Sequence, residues 1–418
     1  MPPLKFLTLN TCTSISGLTN KRLPSLVSAG GLLFGPPLLI FLTTCTYLYQ
    51  SSRPPFPFPN LPHDPPAPIL NTVKLALSFY LPLSVLVGFM LGVHGGRLLG
   101  LLQHLRSGNP FDYKAERLRE TVSHCKDYDV VMVQEIYKGY PFILDPDYPN
   151  LLHTEMKKVG FQHAAFAAPP QFPSVCMGTG LLILSKHPIL SHSTLSFENQ
   201  FLLESFGVNR GAMHARIQVP DQEEPLDVFT CHLSPSMREA LMKDWPEALL
   251  AMGDRTRAGQ FAEMKSFVER QRSSSTSMCV VGGDFNANIK HLEGGGVEEG
   301  IAYPAVKKAM VDGLGFEDAG WRVTYGYVPK DKVLTNPNHP DWCQVTEDLV
   351  FVDPATTSIL EFDNVPLLAS KAGRKAGYTH LSDHQGLGIT VEPVRKRKGK
   401  ASASSPRSRS RSRGPRKK

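Results

Sequence analysis

The chain lacks closely spaced cysteine pairs, although its 418 residues include seven cysteines, namely Cys12, Cys45, Cys125, Cys176, Cys231, Cys279 and Cys343. The absence of a CxxC motif argues against a zinc site, and the odd, scattered set argues against a disulfide framework. Several of these cysteines lie inside apolar runs, where a buried thiol packs as a small hydrophobic group. The pattern is therefore typical of a protein in a reducing compartment.

Acidic residues are absent from the C-terminal end of the chain. The last 24 residues, Arg395–Lys418, contain twelve Lys and Arg and neither Asp nor Glu. Without them the chain has 33 basic and 38 acidic residues, so the formal net charge of +7 becomes −5. We predict that residues 394–418 form a disordered basic tail rich in Ser and Arg. Such a tail can bind anionic lipid or nucleic acid, whereas the sequence indicates no protein partner.

Charged residues are also absent from long stretches of two apolar segments, residues 23–52 and 75–103. Residues 23–52 contain none over 30 positions, and Leu75–Gly96 contain none over 22 positions. Because about 20 apolar residues suffice for a membrane-spanning helix, we predict two membrane segments. The prolines at 36 and 37 would kink the first segment, so a re-entrant hairpin stays open as an alternative. Residues 53–74 are predicted to be a Pro-rich, extended connector.

Six short signatures, each at or after an apolar run that reads as a strand, carry carboxylates, amides or imidazoles. Hydrolysis of a phosphate ester needs a hard cation, a positioned water and hydrogen-bond donors around the charged oxygens. The six signatures together supply these groups and predict a metal-dependent phosphoester hydrolase. They are TLN (Thr8–Asn10), VQE (Val133–Glu135), CHL (Cys231–Leu233), GGDFN (Gly282–Asn286), EDLVFV (Glu347–Val352) and LSDH (Leu381–His384).

The order of these signatures resembles the endonuclease/exonuclease/phosphatase superfamily, and within it the neutral sphingomyelinases. GTGLLILSKHPI at Gly178–Ile189 and LSDHQGL at Leu381–Leu387 carry the resemblance to the sphingomyelinases. Apolar strand patterns interrupted by amphipathic helices independently predict two packed sheets covered by helices. The resemblance implies a DNase I-like α/β fold, a four-layer α/β/β/α sandwich. It would comprise residues 111–393 and a first strand within residues 1–13, interrupted by the inserted membrane segments.

The resemblance also implies a magnesium site, with Mn²⁺ as an alternative metal. Glu135 ends a buried strand, where an ionised acid is costly unless it is paired or binds a metal. By resemblance Glu135 is the principal ligand, Asp383 lies on the metal side, and Asn10 is an amide near metal and phosphate.

Catalytic and phosphate-binding roles follow from the same resemblance. Asp348 pairs with His384, and such a pair fixes the tautomer of an imidazole. Asp284 and His384 are the two candidates for the group that deprotonates the attacking water. His232 is expected to donate to the phosphate or to the leaving oxygen. The residues expected to contact phosphate oxygens are Asn10, Asn286, Asn209 and Arg210.

The GGDFN signature predicts a local geometry as well. We expect a strand to end in two glycines that allow a tight turn and close approach by the substrate. Alternation then places Asp284 and Asn286 on one side, with Phe285 pointing away into the packing.

The positions of the apolar segments predict a topology. Asn10 precedes both segments and the other site residues follow them, so one site requires an even number of crossings. The positive-inside bias then places the catalytic domain of a two-segment membrane protein in the cytosol. The flanking cations are Lys21, Arg22, Arg97 and Arg106, against Arg53, Lys74 and the acidic Asp64 in the connector.

The reaction that the sequence predicts is Mg²⁺-dependent hydrolysis of sphingomyelin, or of a related sphingophospholipid, to ceramide and a phosphorylated head group. A nuclease of the same superfamily is the first alternative, because it would use the same metal site. An inositol-polyphosphate phosphatase fits less well, since Ala287 and Asn288 follow GGDFN where that family carries an Arg. An inert membrane adaptor with an RNA- or lipid-binding tail is the alternative from another class. Ser234 departs from the mammalian-type sphingomyelinases, which carry a second histidine there.

Overall fold

The structure, a computed structural model, describes residues 3–11, 114–138, 147–169, 178–201, 208–236, 247–272, 274, 276–292, 296–300, 302–325, 344–376, 381–382 and 384–394. The predicted membrane segments, the connector, Asp383 and the tail beyond Val394 lie outside these ranges. Among the helices within the ranges, none has both the length and the apolar character needed to cross a membrane.

The strands of the first sheet are β1 (Leu4–Asn10), β2 (Val130–Gln134), β3 (His163–Phe166), β4 (Leu182–Ser185), β12 (Thr357–Val365) and β13 (Gly386–Pro393). Their order in the sheet is β12–β13–β1–β2–β4–β3. The N-terminal strand β1 is thus central, antiparallel to β13 and parallel to β2, with Asn10 level with Gln134. All seven residues of β1 except Lys5 are buried, as expected for a strand covered on both faces.

The strands of the second sheet are β5 (Ile189–Ser196), β6 (Gly211–Ile217), β7 (Leu226–His232), β8 (Cys279–His291), β9 (Val297–Glu298), β10 (Glu317–Asp318) and β11 (Gln344–Val352). Six of them follow the order β10–β11–β8–β7–β6–β5, and β9 pairs with β8. The pair β7 and β8 is parallel, whereas β11 lies antiparallel to β8.

Helices cover the outer face of each sheet. Side chains of both sheets interlock between them, including Phe6, Met132, Val228 and Val280. Helices α1 (Lys114–Cys125) and α2 (Tyr148–Lys157) pack on the first sheet through residues such as Leu118 and Met156. The second sheet is covered by α3 (Glu247–Gln271) and α4 (Tyr303–Lys307), the latter continued by a π-helical turn, and a further helix, α5 (Lys371–Ala376), precedes β13. The prediction of a mixed α/β fold with two packed sheets is confirmed.

The apolar spacing of the sequence predicts helices over Tyr113–Lys126, Leu151–Val159 and Thr256–Gln271, and the observed helices differ from these bounds mainly at two N-termini. We expected the second helix to begin at Leu151, but α2 begins at Tyr148, because the Asp147 side chain accepts a hydrogen bond from the Asn150 backbone N–H. Helix α3 begins nine residues before the predicted Thr256, where Leu250 packs against Phe201.

The expected turn at the two glycines of GGDFN is wrong. Strand β8 runs through Gly282 and Gly283 and continues to His291. A Cβ atom on Gly282 would lie 2.8 Å from Cε of Met132 in the opposite sheet, and one on Gly283 would lie 2.4 Å from the carbonyl oxygen of Cys231 in β7. The glycines are therefore needed for close packing between strands and sheets, rather than for approach of the substrate.

Candidate active site

Three of the predicted site residues form a row across the second sheet. Asp284 of β8 is level with His232 in the parallel strand β7 and with Asp348 in the antiparallel strand β11. All three side chains are buried. The register of these strands thus brings together residues that are 52 to 116 positions apart in the sequence.

The first sheet contributes to the same place through Asn10, at the end of β1. Its Nδ2 donates a hydrogen bond of 3.1 Å to Oδ2 of Asp284. Gln134 ties the sheets together just beside it, donating through Nε2 to Oγ1 of Thr8 at 3.0 Å and of Thr230 at 2.7 Å. Gln134 is the middle residue of the VQE signature, but the sequence predicts no role for it.

Glu135 follows β2 with an unusual backbone conformation. Its φ angle is +55°, in the left-handed region that residues other than glycine rarely adopt. The turn directs the carboxylate toward the second sheet, where Oε1 lies 3.7 Å from Nε2 of His232. Left-handed strain costs about 1–3 kcal/mol and is common at functional sites. We infer that the strand end is bent in order to place this acid.

His232 lies between positive and negative groups. Nη1 of Arg210 is 2.8 Å from Nδ1 of His232 and also contacts its Nε2. On the other side, Oδ2 of Asp284 is 3.4 Å from Nε2 of His232. Burial lowers the pKa of the His232 imidazole well below its usual range, and the charges of Arg210 and His384 lower it further. Since a guanidinium can only donate, the neutral ring accepts from Arg210.

The pKa of the Asp284 carboxyl is strongly shifted. Burial raises the pKa of Asp284 to about 7, and the charges of Asp348 and Glu135 act in the same direction, whereas His384 opposes them. Its Oδ1 accepts a hydrogen bond of 2.9 Å from the backbone N–H of Asn286. Three acids so close together leave an excess of negative charge, which a bound cation would neutralise.

Two groups of side chains can hold a metal ion here, Glu135–His232–Asp284 and Asp284–Asp348–His384. Within each group the candidate ligand atoms all lie within 4.8 Å of one another. Oδ1 of Asp348 is buried and has no hydrogen-bond partner among the described residues, so an uncompensated acceptor faces this region. Carboxylate oxygens are the preferred ligands of Mg²⁺, and the site therefore fits a divalent cation. Asp383, the other predicted ligand, lies outside the described residues.

The predicted Asp–His pair forms. Nδ1 of His384 lies 2.7 Å from Oδ2 of Asp348, and both side chains are buried. The carboxylate holds the proton on Nδ1, so Nε2 is the atom that can exchange a proton or a hydrogen bond with a substrate. On that side, Oε2 of Glu347 is 3.6 Å from Nε2 of His384.

A short segment around Thr324, for which the sequence predicts no role, supports this pair. The Thr324 hydroxyl accepts hydrogen bonds from the backbone N–H groups of Glu347 at 3.0 Å and of Asp348 at 3.1 Å. The Thr324 carbonyl accepts from the N–H of Gln385 at 2.8 Å, and the Tyr325 ring lies 5.1 Å from the His384 ring. The signal in the sequence was weak, because a single buried Thr looks like any other strand residue.

The predicted phosphate ligands take different positions. Arg210 contacts His232, and Asn209 is buried just before it. Asn286 has a φ angle of +47° and donates through Nδ2 to the carbonyl of Leu233 at 2.8 Å. The positive φ breaks the strand alternation on which its predicted orientation depended, and Asn286 connects the end of β7 with the middle of β8.

Two residues of α3 donate or accept hydrogen bonds at the end of β7 and in the middle of β8. Arg257 donates to the carbonyl of Asn286 at 2.8 Å and also to the carbonyl of Ser234. Gln260 accepts from the N–H of Ser234 at 3.0 Å and donates to its hydroxyl at 2.9 Å. Ser234, the departure from the sphingomyelinase pattern, is thus a buried anchor in this chain. Neither Arg257 nor Gln260 was singled out from the sequence, because each lay in an amphipathic helix pattern.

Several solved structures resemble this one at low sequence identity. An endonuclease/exonuclease/phosphatase from Beutenbergia cavernae is 16% identical, with 66% of each chain covered and a TM-score of 0.45. A beta toxin variant from Staphylococcus aureus with bound magnesium ions is 18% identical, with coverage of 68% of this chain and 94% of that one and a TM-score of 0.46. Sphingomyelinase C from Streptomyces griseocarneus is 15% identical, with 66% and 92% covered and a TM-score of 0.47.

Sequence comparisons give the family. No curated protein sequence matches the chain. The profile of the Endonuclease/Exonuclease/phosphatase family, however, matches residues 93–384, which is more than half of the 418 residues. The match begins after β1, whose Asn10 the structure nevertheless places in the site. The chain belongs to the endonuclease/exonuclease/phosphatase family, whose members hydrolyse phosphate esters.

Proposed function

We propose that the protein is a Mg²⁺-dependent phosphodiesterase that cleaves sphingomyelin, or a related sphingophospholipid, into ceramide and a phosphorylated head group. The observation that carries the proposal is the position of Asp284. Its carboxylate belongs both to the group with Glu135 and His232 and to the group with Asp348 and His384. Candidate metal ligands and a candidate acid–base pair therefore share one buried centre.

The metal would be held by the oxygen atoms of Glu135 and Asp284, with Asn10 and Asp383 as further ligands. Mn²⁺ could replace Mg²⁺, since both take oxygen ligands. When bound, the ion acts as a Lewis acid and neutralises charge on the phosphate.

The protein groups have complementary roles. Asp348 stabilises the protonated imidazole of His384, which donates from Nε2 to a phosphate oxygen. The carboxylate of Asp284 lies between the other candidate metal ligands and the His384–Asp348 pair, so it is placed to position the attacking water and to take its proton. Arg210 and His232 contribute N–H donors for the phosphate oxygens at the opposite end of the row.

The lipid part of the proposal is supported by the sequence. The apolar segments 23–52 and 75–103 would anchor the chain at a membrane with its catalytic domain in the cytosol. The basic tail would bind anionic lipid, at about 1 kcal/mol for each Lys or Arg near the surface. The site would then be confined to the interface where its substrate lies.

The test measures Mg²⁺-dependent release of head group from sphingomyelin in mixed micelles, with plasmid nicking in parallel. We expect lipid turnover in the wild type and in His192→Ala, which changes an exposed histidine of β5, but not in His384→Ala. Nicking without lipid turnover would instead identify a nuclease, with the basic tail as its nucleic-acid arm. Full activity of His384→Ala on every substrate would refute the assigned site.

A further inference from the structure

Strand β11 contains an irregularity beside the active site. Its pairing with β8 is interrupted by a bulge between Thr346 and Asp348, where Glu347 alone lies opposite residues 285–288 of β8. In a regular strand, neighbouring side chains point to opposite faces of the sheet, so Glu347 and Asp348 would face apart. Here both carboxylates reach one imidazole, with Asp348 at Nδ1 and Glu347 at Nε2 of His384. Bulges of this kind redirect side chains next to active sites.

The bulge is held in place by specific hydrogen bonds. The Thr324 hydroxyl accepts from the backbone N–H groups of both Glu347 and Asp348. Thr324 is fully buried, and its neighbour Tyr325 pairs with Val345 in β11. These hydrogen bonds fix the backbone of Glu347, and its side chain is buried.

The charge of Glu347 acts at short range. Its side chain is 9% exposed, so solvent screens its carboxylate much less than it would a surface acid. Oε2 is 3.6 Å from Nε2 of His384, the atom that the proposed function assigns to a phosphate oxygen. A phosphate bound there would meet a negative charge close to the donor that holds it, and the repulsion grows with the charge of the phosphate.

We propose that Glu347 is a specificity-determining residue that favours singly charged phosphodiesters over doubly charged phosphomonoesters. The proposal rests on the proposed function, through the contact between His384 and the phosphate. The family includes phosphatases as well as nucleases, so the common metal and His–Asp groups do not by themselves choose between the two kinds of ester. A fixed carboxylate beside the phosphate makes that choice, because a monoester carries one more negative charge at neutral pH than a diester.

The experiment uses the full-length protein in detergent with Mg²⁺, and two soluble substrates with the same leaving group, p-nitrophenyl phosphate and bis(p-nitrophenyl) phosphate. The measured quantity is the ratio of kcat/KM for the monoester to that for the diester. We expect Glu347→Gln to raise this ratio at least about tenfold, including by creating monoester hydrolysis where the wild type has none. Two control variants should keep the ratio close to the wild-type value and below that of Glu347→Gln. Glu347→Asp keeps the charge at the same position, and Glu317→Gln removes the charge of an exposed acid of β10.

Two results would overturn the role of Glu347. One is a ratio in Glu347→Gln equal to that of the wild type, which includes an equal loss on both substrates or no monoester hydrolysis in either protein. The other is an equal rise in Glu317→Gln. The sphingomyelin assay separates the two proposals. If Glu347→Gln shifts the ratio but the wild type does not cleave sphingomyelin, the role of Glu347 is retained and the lipid substrate is rejected. If the wild type cleaves sphingomyelin but Glu347→Gln leaves the ratio unchanged, the lipid substrate is retained and the role of Glu347 is rejected.

Discussion

Asn10 donates a hydrogen bond to Asp284 across 274 positions of sequence, and this bond joins the two sheets at the centre of the candidate site. The donor stands at the end of β1 and the acceptor in the middle of β8. The bond orients Asp284 without adding another negative charge to a group that already contains three acids. The N-terminal strand therefore contributes directly to the site, although residues 12–113 separate it from α1.

The first prediction concerns this bond. Asn10→Ala should lower turnover by about 100-fold, comparable to loss of a donor from other charge-stabilising sites. Asn10→Asp should be worse, because it places a fourth carboxylate beside Asp284. Steady-state kinetics would measure both, with Asn150→Ala in the first turn of α2 as a control that affects only helix capping. Equal activity of the alanine variant and the wild type would contradict the role of Asn10.

A second prediction concerns the packing of β8 on β7. Gly283→Ala should destabilise the fold by about 1–3 kcal/mol or more, because the new Cβ would overlap the backbone of Cys231. Gly296→Ala is the matched control, since its Cβ would lie no closer than 3.6 Å to any neighbour, the side chain of Leu292. Chemical denaturation would compare the free energies of unfolding. Similar losses in the two variants would show that the contact at Gly283 is not limiting.

The segments that carry the site could be predicted because each polar group follows a strand with a buried, apolar sequence. His232, Asp284 and Asp348 were found in this way, and the sheet register explains why they meet. Strands β5 and β12 were missed because both are half exposed and mix polar with apolar residues, so neither forms a continuous apolar run. Their positions are fixed by pairing with β6 and β13, which only the folded structure shows.

The supporting residues could not be predicted, for a different reason. Gln134, Thr324 and Arg257 act through backbone groups or hydroxyls far away in the sequence, and such partners leave no local pattern. The turn expected at GGDFN was wrong because a glycine needed for close packing looks the same in the sequence as a glycine needed for a turn.

The third prediction concerns the Thr324 hydroxyl. Thr324→Val has a similar volume but leaves two buried N–H groups without their acceptor, at about 1–3 kcal/mol each. We expect the bulge to relax, so kcat should fall and the pH–rate profile should change shape as His384 loses its fixed partner. Thr324→Ser keeps the hydroxyl and should retain most of the activity with the wild-type profile. A Val variant that loses stability alone, with unchanged kcat and pH profile, would assign Thr324 a purely structural role.

A fourth prediction follows from the pKa of Asp284. In the metal-free protein this pKa rises from 3.8 to about 7, so the folded state binds more protons than the unfolded state between these values. The contribution of Asp284 to stability therefore decreases as the pH rises through this window. We expect Asp284→Asn to have the same Tm as the wild type or a lower one near pH 4, and a higher Tm above pH 7, in the presence of a chelator.

Metal binding should have the opposite pH dependence, because a proton on Asp284 competes with the ion. Titration calorimetry should show tighter Mg²⁺ binding as the pH rises toward 7 and beyond, with release of protons. Asp284→Asn should lose most of the binding and its pH dependence. In the chelator experiment, a Tm difference between the wild type and Asp284→Asn that does not vary with pH would show that Asp284 is not the titrating group.

The last prediction concerns Arg257, which reaches the site only through the backbone. Its guanidinium donates to a carbonyl just after β7 and to one in the middle of β8, so it fixes the spacing between His232 and Asp284 without contacting either of them in the described hydrogen bonds. Arg257→Lys keeps the charge but loses the forked donor geometry, and it should weaken Mg²⁺ binding and lower kcat together. Arg255→Lys, at an exposed position two residues earlier in α3, should change neither quantity. If Arg257→Lys lowered the Tm while metal affinity and kcat stayed at their wild-type values, the helix would support only the fold, and the separation of His232 and Asp284 would have to be set by the sheet register alone.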